Sequence, residues 1–288
     1  MVVRPVRAFA TGGGYAPQRR ENGDGYVTLV NPDLDVPAGG AGSRSVVRRL
    51  GLGRLLLQPL ICVVVVVGSL LYVYNAQISE SEKRSLAVGS LLTLLREHMT
   101  VSIAATLLTC AVAIPLGIAL TRGRFRRYSK PIITVAGFGQ AAPAIGLIAL
   151  GAVLFGIGQV GAIIALTVYG ALPIIANTVT GLDGVDPRLV EASRGMGMSA
   201  WSTLLRIELP LALPVIVAGV RTALVLIVGT AALASFTGAG GLGQLITTGI
   251  KLQQTVTLVV GAVLVAALAL FIDWLARVAE IVAAPKGL

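Results

Sequence analysis

The chain has 288 residues, of which 55% are apolar and only 12% carry charge. Soluble domains carry about 25% charged residues, so this composition excludes an ordinary water-soluble enzyme and points to a protein that lives in lipid. The net charge of +10 does not signal nucleic acid, because the basic residues gather at the flanks of apolar runs and are not interleaved with aromatics.

Residues 1–47 are rich in Gly, Pro and Arg, show no sustained hydrophobic period, and read as a disordered cytoplasmic tail. Arg19 and Arg20 lie too far from the first apolar run to act as a twin-arginine export signal. Leu55–Tyr74 is long enough to cross a bilayer core of about 30 Å, and reads as a retained first span rather than a cleaved signal peptide. The short apolar stretch Leu86–Leu95, followed by Arg96, Glu97 and His98, reads as an external interfacial helix. His98, the single histidine, reads as a solvated helix-start residue. Residues 48–98 thus carry the first span and the interfacial segment, and residues 99–288 the main membrane domain. Further spans are expected at Val101–Thr121, Ile132–Phe155, Val160–Val179, Leu211–Phe236 and Val256–Arg277. The fold class is all-α, a polytopic membrane protein of about six transmembrane helices. Cys62 and Cys110 sit inside apolar runs without metal-ligand spacing and read as packing residues.

Arg44, Arg48, Arg49 and Arg54 precede the first span, and Arg122, Arg124, Arg126, Arg127 and Lys130 fill the connection between spans two and three. Both flanks are therefore assigned to the cytoplasm, which leaves both termini inside and the connection around residues 186–197 in the cytoplasm as well. That connection has the marks of a short docking helix. Asp186 reads as an N-cap with Pro187 at the first helical position, where no amide hydrogen is needed. Leu189, Ala192 or Ser193, and Met196 recur at helical spacing as one apolar face, ringed by Arg188, Glu191 and Arg194. Gly195 and Gly197 stop the helix. A helix of two to three turns is not stable alone in water, so it has to seat against something, either a partner's groove or the bilayer surface.

The same segment, Glu191-Ala192-Ser193-Arg194-Gly195-Met196-Gly197, followed by Ile207-Glu208-Leu209-Pro210, resembles the EAA signature of ABC importer permeases, E-A-A-x-x-x-G-x(9)-I-x-L-P. Glu191, Ala192, Gly197, Ile207, Leu209 and Pro210 fall in register, and Ser193 replaces the second alanine. A bilayer-surface helix would account for the amphipathicity but not for this combined spacing. Ala113–Arg122, Phe155–Gly158, Val185–Met198, Glu208–Ala223 and Gly238–Gly243 further resemble the quaternary-amine and osmoprotectant branch, which moves glycine betaine, carnitine, choline and proline betaine.

The resemblance implies a type I ABC importer permease (MetI-like) architecture, with residues 186–197 as the cytoplasmic coupling helix. It implies two ABC ATPase subunits that bind the ATP, a second permease copy or a paralogue, and a separate extracytoplasmic substrate-binding protein. The chain itself shows no G-x-x-x-x-G-K-[ST] phosphate loop, catalytic triad or metal cluster, so it reads as a non-enzymatic subunit without a cofactor. With 5% aromatics it shows no cage for a quaternary ammonium, which leaves capture to the binding protein. Gln140, Pro143, Gly158, Gln159, Gly241 and Gln244 interrupt or follow spans and are candidates for the path or for helix packing. Arg221, eleven residues beyond Pro210, or roughly 16 Å of helix rise, is expected to hold a structural or gating ion pair; Asp273 and Arg277 are expected to pair with each other. An ion-coupled secondary transporter would need intramembrane carboxylates and an internal repeat. Asp273 is the single acidic candidate, and no repeat is visible. A permease for another small solute such as methionine shares the coupling signature.

Overall fold

A computed structural model describes residues 19–21, 27–29, 43–76 and 78–283, with side chains placed for residues 57–280 apart from Tyr74. The chain divides into two compact units, 1–52 and 53–288. Most of the expected tail lies outside the described residues. In the first unit, β1 (Arg19–Glu21) and β2 (Val27–Leu29) pair antiparallel with Arg20 opposite Thr28.

All other described elements are helical. α1 (Ser43–Asn75) contains the apolar stretch Leu57–Val73, whose roughly 25 Å of rise is close to the lower limit for crossing a bilayer. A capping box of Ser79 with Glu82 starts α2 (Glu80–Ser85). α3 then runs unbroken over Val88–Leu120. The expected interfacial helix is therefore the first turns of span two, and Arg96, Glu97 and His98 mark no boundary. Helical periodicity turns Arg96 outward and puts Glu97 and His98 against the rest of the protein.

A 3-10 turn, Gly123–Tyr128, leads into α4 (Ser129–Ala141) and α5 (Ala144–Phe155). These two helices meet at 97°, so the third span is a broken one. The break follows from Pro143, which forces Ala142 into an extended conformation at ψ 146°. α6 (Gln159–Asp183) sits among α3, α4, α5 and α9 (Leu209–Thr230). Small residues let these helices approach closely: a Cβ on Gly219 of α9 would lie 2.8 Å from the Pro173 carbonyl oxygen of α6.

Span five, Ala200–Thr237, is continuous but not uniform. It comprises α8 (Ala200–Thr203), a π turn at Leu204–Glu208, α9, and a 3-10 turn at Ala231–Thr237. The π turn precedes Pro210, whose ring and missing N–H disturb the preceding turn of an ordinary α-helix. α10 (Gly243–Lys251) and the last span, α11 (Thr255–Ala283), complete the bundle. Among the described residues, four helical spans are long and apolar enough to cross a membrane, and the bent pair makes a fifth; with α1 the count is close to the expected six. The protein is a multi-pass membrane protein.

Candidate coupling segment and membrane path

α7 (Pro187–Gly195) joins span four to span five. The Asp186 carboxylate accepts the Arg188 N–H at 2.9 Å, with Pro187 at the first helical position. The C-terminal end is a Schellman motif, in which Met198 N donates to Ser193 O at 3.1 Å and Gly197 N to Arg194 O at 2.9 Å. Gly197 takes φ +83° to allow this, whereas Gly195 is simply the last helical residue.

The expected apolar face divides between two sides of the helix. Ser193 is 1% exposed and points inward, its hydroxyl 2.8 Å from Val190 O and 3.1 Å from the Thr203 hydroxyl. Val190 packs inward beside it, against a core of Leu182, Val185, Leu204, Ala212 and Ile216. Leu189, Ala192 and Met196 all face outward, Met196 at 76% exposure. Trp201 and Leu205 are also exposed, and Arg188, Glu191 and Arg194 share the open surface. The result is a small apolar patch with a charged rim, presented by a helix whose opposite side is anchored in the bundle. Ile207 is half-buried, Leu209 packs on the same core, and Pro210 is exposed at the start of α9.

Two ion pairs flank the segment. Arg122, just after α3, takes both oxygens of Glu208 with its two Nη atoms, and Arg126 lies 3.2 Å from Asp183. The spacing gave no hint of the first pair, because its members are 86 residues apart.

The candidate path residues fall in separate places. Gln140 and Pro143 lie at the break between α4 and α5, Gln140 half-buried and Pro143 exposed. Gly158, at φ +120°, closes the α5–α6 turn and donates its N–H to Thr237 O at 2.9 Å, and Gln159 beside it is exposed. Gly241, at φ +85°, is buried and donates its N–H to the Glu97 carboxylate at 2.9 Å. Gln244 and Glu97 line one polar cavity of about 570 Å³ with Arg84, Ser90, Thr93 and Thr248.

His98 is 1% exposed and its Nε2 donates to Val228 O at 2.9 Å, so it is not the solvated residue expected from its charged neighbours. The Gly238–Gly243 loop covers it from above, with a Cβ on Gly241 reaching within 3.1 Å of the His98 Cα.

Arg221 is the centre of an ion network within the spans. Its Nε and Nη2 lie 2.8 and 2.7 Å from Asp273 Oδ1, and its Nη1 is 3.2 Å from Glu280. Asp273 also pairs with Arg277 at 3.3 Å and accepts from Gln58 of α1 at 2.8 Å. The expected Asp273–Arg277 pair is therefore one edge of a network joining α1, α9 and α11.

With this geometry in place, comparison with known proteins is specific. Residues 113–280 match the family model described as "Binding-protein-dependent transport system inner membrane component". The glycine betaine/carnitine/choline transport system permease protein OpuCB of Bacillus subtilis is 42% identical over 200 residues, covering 69% of this chain and 91% of that protein. The osmoprotectant import permease protein OsmW of Salmonella typhimurium is 38% identical over 205 residues, 69% of this chain and 94% of that protein. Among solved structures, a chain of the MetNI methionine ABC transporter in an inward-facing conformation superposes with a TM-score of 0.58 at 25% identity, covering 72% of this chain and 99% of its own. The chain belongs to the family of binding-protein-dependent transport system inner membrane components, the ABC importer permeases its signature pointed to.

Proposed function

We propose that this chain is the membrane subunit of an ATP-driven importer for quaternary-amine osmoprotectants: glycine betaine, choline, carnitine or proline betaine. The observation that carries the reading is the α7 patch. Leu189, Ala192 and Met196 lie exposed on a capped helix whose inner side is fastened by Ser193. A soluble ATPase subunit can bury that patch, and its closure on ATP then pushes on the bundle through the anchored side. Hydrolysis belongs to the partner, and this chain supplies passage only.

In this reading two ATPase subunits, a second permease copy or a paralogue, and an extracytoplasmic binding protein complete the complex. It sits in the lipid of the bacterial plasma membrane with both termini in the cytoplasm, as the arginine-rich flanks favour. The substrate class is supported by the names of the relatives at 42% and 38% identity. The test is uptake of labelled glycine betaine at high osmolarity in a strain lacking this gene, complemented with wild type or a Gly197→Trp variant. Choline, carnitine and methionine serve as competitors. Uptake restored by wild type alone and blocked by the quaternary amines is the expected result. Blockage by methionine alone transfers the assignment to an amino-acid importer.

A further inference from the structure

The segment between α6 and α9 is held at both ends by one basic stretch. Asp183, the last residue of α6, pairs with Arg126, and Glu208, the last residue of the π turn, pairs with Arg122. The two acids enclose α7 and α8, while the two arginines stand four positions apart on the connection that leaves α3.

The two attachments differ in kind. The Arg126 and Asp183 side chains are 66% and 40% exposed, so water and salt screen their attraction and leave it weak. Glu208 is 4% exposed. Both of its oxygens are taken by Arg122, with Nη1 to Oε1 at 3.1 Å, and the Arg122 Nε is buried without a partner. A two-pronged guanidinium–carboxylate pair admits one relative orientation, and separating it would strand a charge away from water. Apolar contact backs the pair, since Ile114 and Ile118 of α3 share a core with Leu204, Leu209 and Ala212. The apolar core holds both ends, since Leu182 and Val185 beside Asp183 belong to it as well, and the difference lies in the ion pairs: a buried two-pronged one at Glu208 and a screened one at Asp183.

We propose that Arg122–Glu208 is the joint that delivers displacement of the coupling helix to α3, with Asp183–Arg126 as the weaker, dispensable ion pair. Arg122 and Glu208 are then positioning residues for transport. This rests on the coupling reading above. Spans four and five are tied to α7 through the chain itself; the joint adds span two, which then tilts with span five when the ATPases close.

The test uses the full chain assembled with its ATPase in nanodiscs and liposomes. Spin labels go on Arg124→Cys and Ser199→Cys, both exposed positions, with Cys62 and Cys110 replaced by Ala. In the wild-type background the distance between labels is expected to be narrow and the same with and without ATP and vanadate. In Glu208→Gln it is expected to broaden and to change between the two states. The labelled glycine betaine imported per ATP hydrolysed is expected to fall at least about tenfold, since a neutral amide no longer takes both prongs of Arg122 in one fixed orientation. The exchange Arg122→Glu with Glu208→Arg should narrow the distribution again. Where Glu208→Gln does not insert, Glu208→Asp, which keeps the charge but shortens the reach, should give the same broadening. A wild-type distribution and import ratio in the inserted variant overturn the joint. A wild-type complex that neither imports nor responds to ATP overturns the importer reading itself.

Discussion

The hydroxyls of Ser193 and Thr203 lie 3.1 Å apart and both residues are almost fully buried, fastening α7 to the start of span five across the turn between them. This pair sits at the position where the signature has its second alanine. Two small terms oppose each other in Ser193→Ala: loss of a hydrogen bond of about 1 kcal/mol, and a gain in helix propensity of about 0.5 kcal/mol. The net change should be small. Ser193→Leu should be far worse, because nothing around Ser193 leaves room for the larger side chain. A double-mutant cycle of Ser193→Ala with Thr203→Val, read by unfolding in bicelles, should give a coupling of about 1 kcal/mol. Strict additivity would show that the hydroxyl pair contributes nothing.

Gly197 stands at φ +83° with open space where a Cβ would go. The cost of a side chain there is therefore backbone strain alone, about 1–2 kcal/mol for alanine, and less for asparagine, which tolerates this region. Import and ATPase co-purification should weaken in Gly197→Ala and recover in Gly197→Asn. Equal behaviour of both variants and wild type would mean that the Schellman cap is dispensable.

The signals that made α7 readable are local ones. Asp186, Pro187 and Gly197 act on their own backbone, so their identities announce the ends of α7. Which of Ala192 and Ser193 points outward was not readable, because it depends on Thr203 and the core behind it. Pro143 announced an interruption of span three, yet its 97° bend depends on how α5 packs on α6. The charges Arg96, Glu97 and His98 suggested a boundary at the head of span two. They lie inside one 33-residue helix because Glu97 and His98 find partners in Gly241 and Val228, 144 and 130 residues away. The Arg122–Glu208 pair was hidden for the same reason.

The outward patch on α7 makes a prediction about assembly. Leu189→Asp or Met196→Asp places a charge where an ATPase groove would have to desolvate it, at a cost of a few kcal/mol. Because both residues are exposed in the chain alone, insertion and thermal stability should be unchanged while ATPase co-purification falls by about a hundredfold or more. Glu191→Lys should weaken binding through the rim instead. Retention of the ATPase by both aspartate variants would leave the patch to the bilayer surface.

The Arg221 network offers a sharper test of stability. Asp273→Asn leaves Arg221 with Glu280, so one counter-charge remains and the loss should be modest. Adding Glu280→Gln removes the other acidic partner that Arg221 has among the described residues, leaving its cation inside the bundle. That double change should destabilise by about 3–5 kcal/mol, well beyond the sum of the single changes. Unfolding of the four proteins in one lipid system checks it, and additive single effects would show that water already solvates Arg221.

At the far end of span five, Glu97 and Gly241 predict an ordering of variants. Glu97→Gln keeps an oxygen that can accept the Gly241 N–H, so the loop should stay in place. Glu97→Ala removes the acceptor and leaves that N–H, on a buried residue, unpaired, for about 1–3 kcal/mol. Gly241→Ala should be the most damaging of the three. It combines φ +85° with a Cβ that would press within 3.1 Å of both the backbone and the ring of His98, and His98 cannot yield without breaking its bond to Val228. Hydrogen exchange across residues 236–244 should rise in the order Glu97→Gln, Glu97→Ala, Gly241→Ala. Equal protection in all three would mean that the loop is held by Gly243 and its approach to Ala232, with Glu97 free to serve the polar cavity it lines.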